Sequence, residues 1–144
     1  LLIDPTLLMS TLMTKIEEVR DWLNPNVVKV AVNRKGLALY FSRSPIPFPR
    51  DLQIGRLESN PFGTSRPLPK RVFKHIGVYV FRRRFLLHFS KMKPTPLEKL
   101  EKLEQLRALE NGYRIKVISV DYEPLHVETP DDLQKVVEFL SQPH

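Results

Sequence analysis

The strongest local constraint in this chain is a β-hairpin signature. Val27-Val-Lys-Val-Ala-Val32 is a β-branched run, Asn33-Arg-Lys-Gly36 carries turn chemistry, and Leu37–Phe41 is a second apolar run. Together they read as two antiparallel strands. Alternation returns from Phe73 to Phe81, where another strand is expected. On it Ile76, Val78 and Val80 point one way, and His75, Gly77 and Tyr79 the other. An imidazole and a phenol therefore share a face, with a glycine between them that leaves room for something to approach the backbone. Residues 44–70, between these strands, hold six of the 13 prolines and no sustained periodicity. A loop that long in a compact domain reads as a functional lid or a disordered segment, with Asn60-Pro61 and Gly63-Thr64-Ser65 its most mobile part.

Elsewhere helical spacing dominates. Residues 5–23 read as helix, with Leu7-Leu8, Leu12-Met13, Ile16, Val19, Trp22 and Leu23 on the periodic positions. Arg82–Ser90 reads as a short helix. Thr95-Pro96-Leu97-Glu98 is a capping box with proline at the first helical position. The helix it opens is expected to run to the stop at Asn111-Gly112. Its leucines recur every third residue, at 97, 100, 103, 106 and 109. Such a row drifts backward around a helix of 3.6 residues per turn, so contact on several sides is expected, with Glu104 near Leu97 and Leu100. Arg114–Val120 reads as a strand. Thr129-Pro130-Asp131-Asp132 caps a last helix with Leu133, Val136, Val137 and Leu140 on its buried face. The expected class is α/β, a mixed sheet with flanking helices in one domain.

The chain's 144 residues, 42% hydrophobic and 27% charged, suit a soluble domain large enough to bury a core. No apolar run is long enough to span a bilayer, and no signal-peptide pattern is present. The opening Leu1-Leu-Ile3 reads as a strand end rather than a natural N-terminus. Cysteine is absent, which excludes disulfides and thiolate metal sites and fits a reducing, cytoplasmic setting. The net charge of +7 suggests an anionic partner. Basic residues are spread along the chain, with Arg82-Arg83-Arg84 the dense run, and no aromatic–basic interleaving suited to base stacking occurs. Steering of an anionic small molecule is therefore favoured over nucleic acid or a membrane.

Motif spacing reveals no hydrolytic triad, no His-rich metal cluster and no Gly-rich phosphate loop. The polar groups worth weighing are Arg43, His75, Tyr79, Glu104, Gln105 and Glu128. A histidine on an amphipathic strand is more often structural than functional, and a lone tyrosine more often core than site. Glu104-Gln105 reads as surface polarity unless the carboxylate is buried, where it would need a partner. Arg43 ends a strand just before the proline-rich loop, where binding residues gather, although a surface ion pair is the plainer role. Glu128, just before a helix cap, could be a polar turn residue.

Five segments shift those odds: Asn24-Pro-Asn-Val-Val-Lys-Val30, Leu39-Tyr-Phe-Ser-Arg-Ser-Pro-Ile-Pro47, His75-Ile-Gly-Val-Tyr79, Leu103-Glu-Gln-Leu-Arg107 and Glu128-Thr-Pro-Asp-Asp-Leu133. In that order the chain resembles the C-terminal half of the CMP-Kdo synthetases (3-deoxy-manno-octulosonate cytidylyltransferases), which join CMP to the sugar acid Kdo for bacterial lipopolysaccharide. The resemblance implies part of a Rossmann-like nucleotidyltransferase fold, with residues 1–144 forming the sugar-acid-binding and dimerisation portion of a single domain. It also implies a strand beginning near Met9-Ser-Thr-Leu12, against the helical periodicity there. Arg43, His75, Tyr79, Glu104 and Gln105 match positions that line the Kdo pocket, with Arg43 pairing the sugar carboxylate. Glu128 stands where the family has an aspartate that binds Mg²⁺. Its longer side chain, and His126 in place of a glycine, put that magnesium site in question. The substrates implied are CTP and Kdo, the cofactor Mg²⁺, and the assembly a homodimer. The family's CTP-contacting loop matches no position here. The alternative is a non-catalytic fragment of the same fold that binds a sugar acid or a partner.

Overall fold

The computed structural model describes residues 4–50, 68, 71–121, 133, 134, 137 and 141. Its strands are β1 (Met9–Lys15), β2 (Lys29–Val32), β3 (Ala38–Ser42), β4 (Phe73–Phe81) and β5 (Ile115–Ser119). Its helices are α1 (Val19–Leu23), α2 (Arg83–Phe89), α3 (Pro96–Glu101) and α4 (Leu106–Glu110). The strands form one sheet in the order β3-β2-β4-β1-β5. Only β1 and β5 pair in parallel, and the other neighbours are antiparallel. This is the expected mixed α/β architecture. Among the described residues no helix is long and apolar enough to cross a membrane.

The hairpin, β4, α2 and β5 fall where the sequence places them. Gly36 closes the hairpin at φ +69°, and a Cβ there would lie 2.9 Å from Lys116 Nζ and 3.3 Å from the Val117 carbonyl. The sheet also curls there, because Val117 N–H donates to the Gly36 carbonyl at 2.8 Å and Leu37 bridges Lys116. Glycine is thus needed for both backbone angle and close approach.

Three expectations need correction. Helix was expected over residues 5–23, but Met9–Lys15 is a strand and only Val19–Leu23 is helical. β1 lies between β4 and β5, and both of its faces are covered, with Ser10 and Thr14 buried as well as Met9, Thr11 and Met13. A strand buried on both faces loses clean alternation and can imitate a helical pattern.

Second, the expected single helix from Thr95 to Asn111 is broken. Glu98 does reach back to Thr95 N–H at 3.1 Å, as the capping box requires. However, α3 stops at Lys102, which adopts the left-handed conformation at φ 56°. The break re-aims the leucines: Leu103 and Leu106 are buried, while Leu100 remains 79% exposed. Glu104 also lies away from the expected apolar contacts, its side chain 69% exposed beside Arg107.

Third, Leu133 and Val137 are helical but more than half exposed, so they do not form the expected buried face.

The core-facing side of the sheet carries Met9 and Met13 of β1, Ile115 and Val117 of β5, Val30 of β2 and Phe41 of β3. Phe85 and Phe89 of α2, with Leu103, Leu106 and Ala108 around α4, pack against it. A second cluster joins Ile16, Trp22, Leu68 and Val72 under α1. Most of the proline-rich 44–70 segment lies outside the described residues.

Candidate functional site

His75 and Tyr79 project onto the core-facing side of β4, with ring centroids 5.4 Å apart. The edge of Phe41 meets His75 at 5.0 Å. Val78 and Val80, on the other side, are more than half exposed. The predicted division of faces holds, but it survives an irregularity. Thr11 of β1 pairs with Tyr79 and Leu12 with Ile76, so Gly77 and Val78 have no counterparts. A bulge of this kind re-aims side chains locally. A Cβ at Gly77 would meet nothing within 4 Å, in keeping with the expected open approach.

Thr11 is 2% exposed, a hydroxyl set between Met9 and Met13. Its Oγ1 lies 2.8 Å from His75 Nε2, 3.1 Å from the Ile76 carbonyl and 2.9 Å from the Val78 carbonyl. Burial lowers the His75 pKa from 6.5 to about 4, so the ring is neutral at pH 7. Burial, helped by the negative charge of Glu104, pushes the Tyr79 phenol well above its usual value, so it stays protonated.

Arg43 enters from β3. Ser42, Lys29 and Lys74 occupy one row across β3, β2 and β4, and Arg43 and His75 each sit one residue past it. β3 and β4 both run antiparallel to β2, so the two residues leave the sheet at the same end. Two strand spacings separate them, roughly 10 Å between backbones. Arg43 Nε donates to the Glu101 carbonyl at 2.8 Å, and Nη1 donates to the Pro25 carbonyl at 3.0 Å. The Glu101 carboxylate accepts the Arg43 backbone N–H at 2.9 Å and the Ser42 hydroxyl at 2.7 Å. The guanidinium is therefore aimed by carbonyls, and no carboxylate among the described residues forms an ion pair with it.

Beneath it, Lys29 is fully buried and donates to the carbonyls of Asn24, Val27 and Arg43 at 2.9, 2.6 and 2.5 Å. Burial lowers its pKa to about 8. Three acceptors need three N–H donors, which only the ammonium form supplies. Lys29 thus locks the main chain on which Arg43 rides.

Glu104 and Gln105 sit in the break between α3 and α4. Arg107 pins this turn, with Nε 2.8 Å from one oxygen of Glu98 and Nη2 2.5 Å from the other. Nη2 also reaches Glu104 at 3.3 Å. From α4, Glu110 accepts the Leu97 backbone N–H at 3.0 Å at the start of α3. Gln105, beside it in the same turn, is only 4% exposed.

The structure thus brings His75 and Tyr79 into contact and places Glu104 near Tyr79. Arg43 stands at the same sheet end, tethered to Glu101 at the end of α3. Glu128 lies outside the described residues. Among the described residues no three His, Asp or Glu side chains converge to hold a metal. Thr11, Lys29 and Glu101 were missed from sequence. Lys29 left a signal, a lone charge inside a β-branched run; Thr11 and Glu101 left none.

With this geometry in place, the cytidylyltransferase family profile matches residues 5–116. The chain belongs to the cytidylyltransferase family. It is 55% identical over 137 residues to 3-deoxy-manno-octulosonate cytidylyltransferase of Geotalea daltonii, covering 95% of this chain and 53% of that relative. The enzyme of the same name from Geobacter metallireducens is 53% identical over 142 residues, covering 99% of this chain and 54% of the relative. A solved structure of CMP:2-keto-3-deoxy-manno-octonic acid synthetase complexed with CTP superposes with a TM-score of 0.78 at 36% identity. That match covers 96% of this chain and 51% of the other, and it supports the expected nucleotidyltransferase fold. The chain spans about half the length of the curated relatives it matches.

Proposed function

We propose that this chain forms the sugar-acid side of a CTP:Kdo cytidylyltransferase acting in lipopolysaccharide biosynthesis. The observation that carries the reading is Arg43, a guanidinium held in place by two main-chain carbonyls with no carboxylate partner among the described residues. A planar fork so fixed suits bidentate capture of the Kdo carboxylate. His75, Tyr79, Glu104 and Gln105 then meet the sugar hydroxyls.

In the reaction the anomeric hydroxyl oxygen of Kdo bonds to the α-phosphorus of CTP. The bond to the bridging oxygen breaks, pyrophosphate leaves, and the hydroxyl proton passes to solvent. The residues named here hold one of the two anions, so that it reacts in a fixed orientation despite charge repulsion. Mg²⁺ would neutralise phosphate charge, and Glu128 is the residue of this chain put forward as its ligand. A homodimer and a cytoplasmic location belong to the same proposal.

Pyrophosphate release that needs both CTP and Kdo tests the reading. Kdo binding without turnover would favour the non-catalytic alternative, and failure to bind Kdo would overturn both. Glu128→Gln should lower activity at limiting Mg²⁺, whereas an unchanged magnesium titration would remove Glu128 as a ligand.

A further inference from the structure

The β4 bulge brings three groups to one hydroxyl. Thr11 Oγ1 has a single proton to donate and two lone pairs. The Ile76 and Val78 carbonyls, at 3.1 and 2.9 Å, can only accept, so they compete for that proton. His75 Nε2, at 2.8 Å, must then be the donor to the hydroxyl oxygen. Were Thr11 to donate to His75 instead, two carbonyl oxygens would face a hydroxyl oxygen at hydrogen-bond distance with no proton between them.

We infer that Thr11, through the bulge carbonyls, holds His75 in its Nε2–H tautomer and makes Nδ1 a dedicated acceptor for a ligand hydroxyl. Thr11 is a positioning residue. It touches no substrate and acts through the ring.

Two observations support this. Nδ1 has no hydrogen-bond partner among the described residues, although Phe41 and Tyr79 flank the ring. The imidazole also stays neutral well below pH 7, so Nδ1 keeps its lone pair. A bare Nδ1 accepts O–H groups and repels carboxylate and phosphate oxygens, which orients a hydroxylated acid with its acid group elsewhere. Arg43, roughly 10 Å of backbone away, is the cation suited to that group. The assignment of the ligand hydroxyl to Kdo rests on the proposed function; the tautomer does not.

The test is long-range ¹H–¹⁵N correlation on ¹⁵N-histidine-labelled protein, with His75 identified by the signal lost in His75→Gln. The expected spectrum at pH 7 is a protonated Nε2 and a bare Nδ1, kept in Thr11→Ser and lost to a tautomer mixture in Thr11→Val. A protonated Nδ1 in the wild type would overturn the proposal, as would an unchanged pattern in folded Thr11→Val. Should Thr11→Val fail to fold, by the fluorescence of the single tryptophan, proton exchange decides. Slow exchange of the wild-type Nε2 proton upholds the bond to Thr11, and exchange at the rate of a free imidazole sinks it. Adding Kdo should shift the Nδ1 resonance without changing the tautomer. If the tautomer is as expected but Kdo leaves Nδ1 unmoved, the sugar-acid reading fails while the role of Thr11 stands.

Discussion

Arg107 and Arg43 make an instructive pair. Arg107 is almost fully buried, forms a two-pronged bond to Glu98, reaches Glu104, and lies 4.9 Å over the Phe89 ring. Its charge is fully answered inside the fold. Arg43 is held just as firmly, but by the carbonyls of Glu101 and Pro25, and its charge has no carboxylate partner among the described residues. Residue type, and even hydrogen-bond count, does not separate these two arginines. What separates them is whether a counter-charge is already present.

That contrast can be broken by substitution. Arg107→Ala strands the Glu98 carboxylate, whose side chain is 12% exposed. It should cost about 3–5 kcal/mol of stability, measured by urea unfolding followed through Trp22 fluorescence. A loss below about 1 kcal/mol would show that the pair does not staple α3 to α4.

The pH dependence should be the next largest effect. His75 has a folded pKa of about 4 against 6.5 in the open chain, so between those values the unfolded state binds the extra proton. Stability therefore falls as pH drops from 6.5 to 4, by about 2–3 kcal/mol. Arg107 holds the Glu98 carboxyl below its ordinary 4.5. That contribution is present above 4.5 and fades as pH falls through the lowered value. His75→Gln should flatten the upper part of the profile and leave the acid limb. A profile unchanged by the substitution would mean His75 is not buried neutral.

Arg43→Ala should act the opposite way from Arg107→Ala. We expect stability within about 1 kcal/mol of wild type and roughly 30-fold or more weaker Kdo binding, from loss of a charged hydrogen-bonded pair. Calorimetric titration with Kdo provides the check, and equal affinity in the two proteins would remove Arg43 from the site. In turnover assays the KM for Kdo should rise far more than that for CTP.

The smallest effect is expected where the leucine row leaves the core. Leu100→Ser should change stability by no more than about 0.5 kcal/mol, whereas Leu106→Ala should cost about 2–5 kcal/mol. Similar costs at both positions would mean that Leu100 is packed rather than exposed.

The features legible in sequence are those set by neighbouring residues. The hairpin around Gly36, the alternation of β4, the brief α2 and the reach of Glu98 back to Thr95 were all readable. β1 was not readable from periodicity, because covering both faces of a strand erases its alternation; only the resemblance to known relatives placed a strand there. The stop at Lys102 was hidden too. The broken form carries the Glu98–Arg107 bond and the Glu110 bond to Leu97 N–H, contacts between residues 9 to 13 positions apart that no local pattern announces.

The candidate site divides along the same line. Arg43, His75, Tyr79, Glu104 and Gln105 could be named from the chain because motif resemblance marks positions. Their chemical state could not. The neutral imidazole of His75 depends on burial, and its ring meets Thr11, 64 positions away in sequence. The direction of Arg43 depends on Glu101, 58 positions away. Short-range patterns dictate which backbone forms where, since turn, cap and alternation are energies between adjacent residues. Which polar groups are desolvated, which are answered and which are left to meet a ligand is decided only when distant segments meet, since charge and hydrogen bonding depend on what surrounds a group in space.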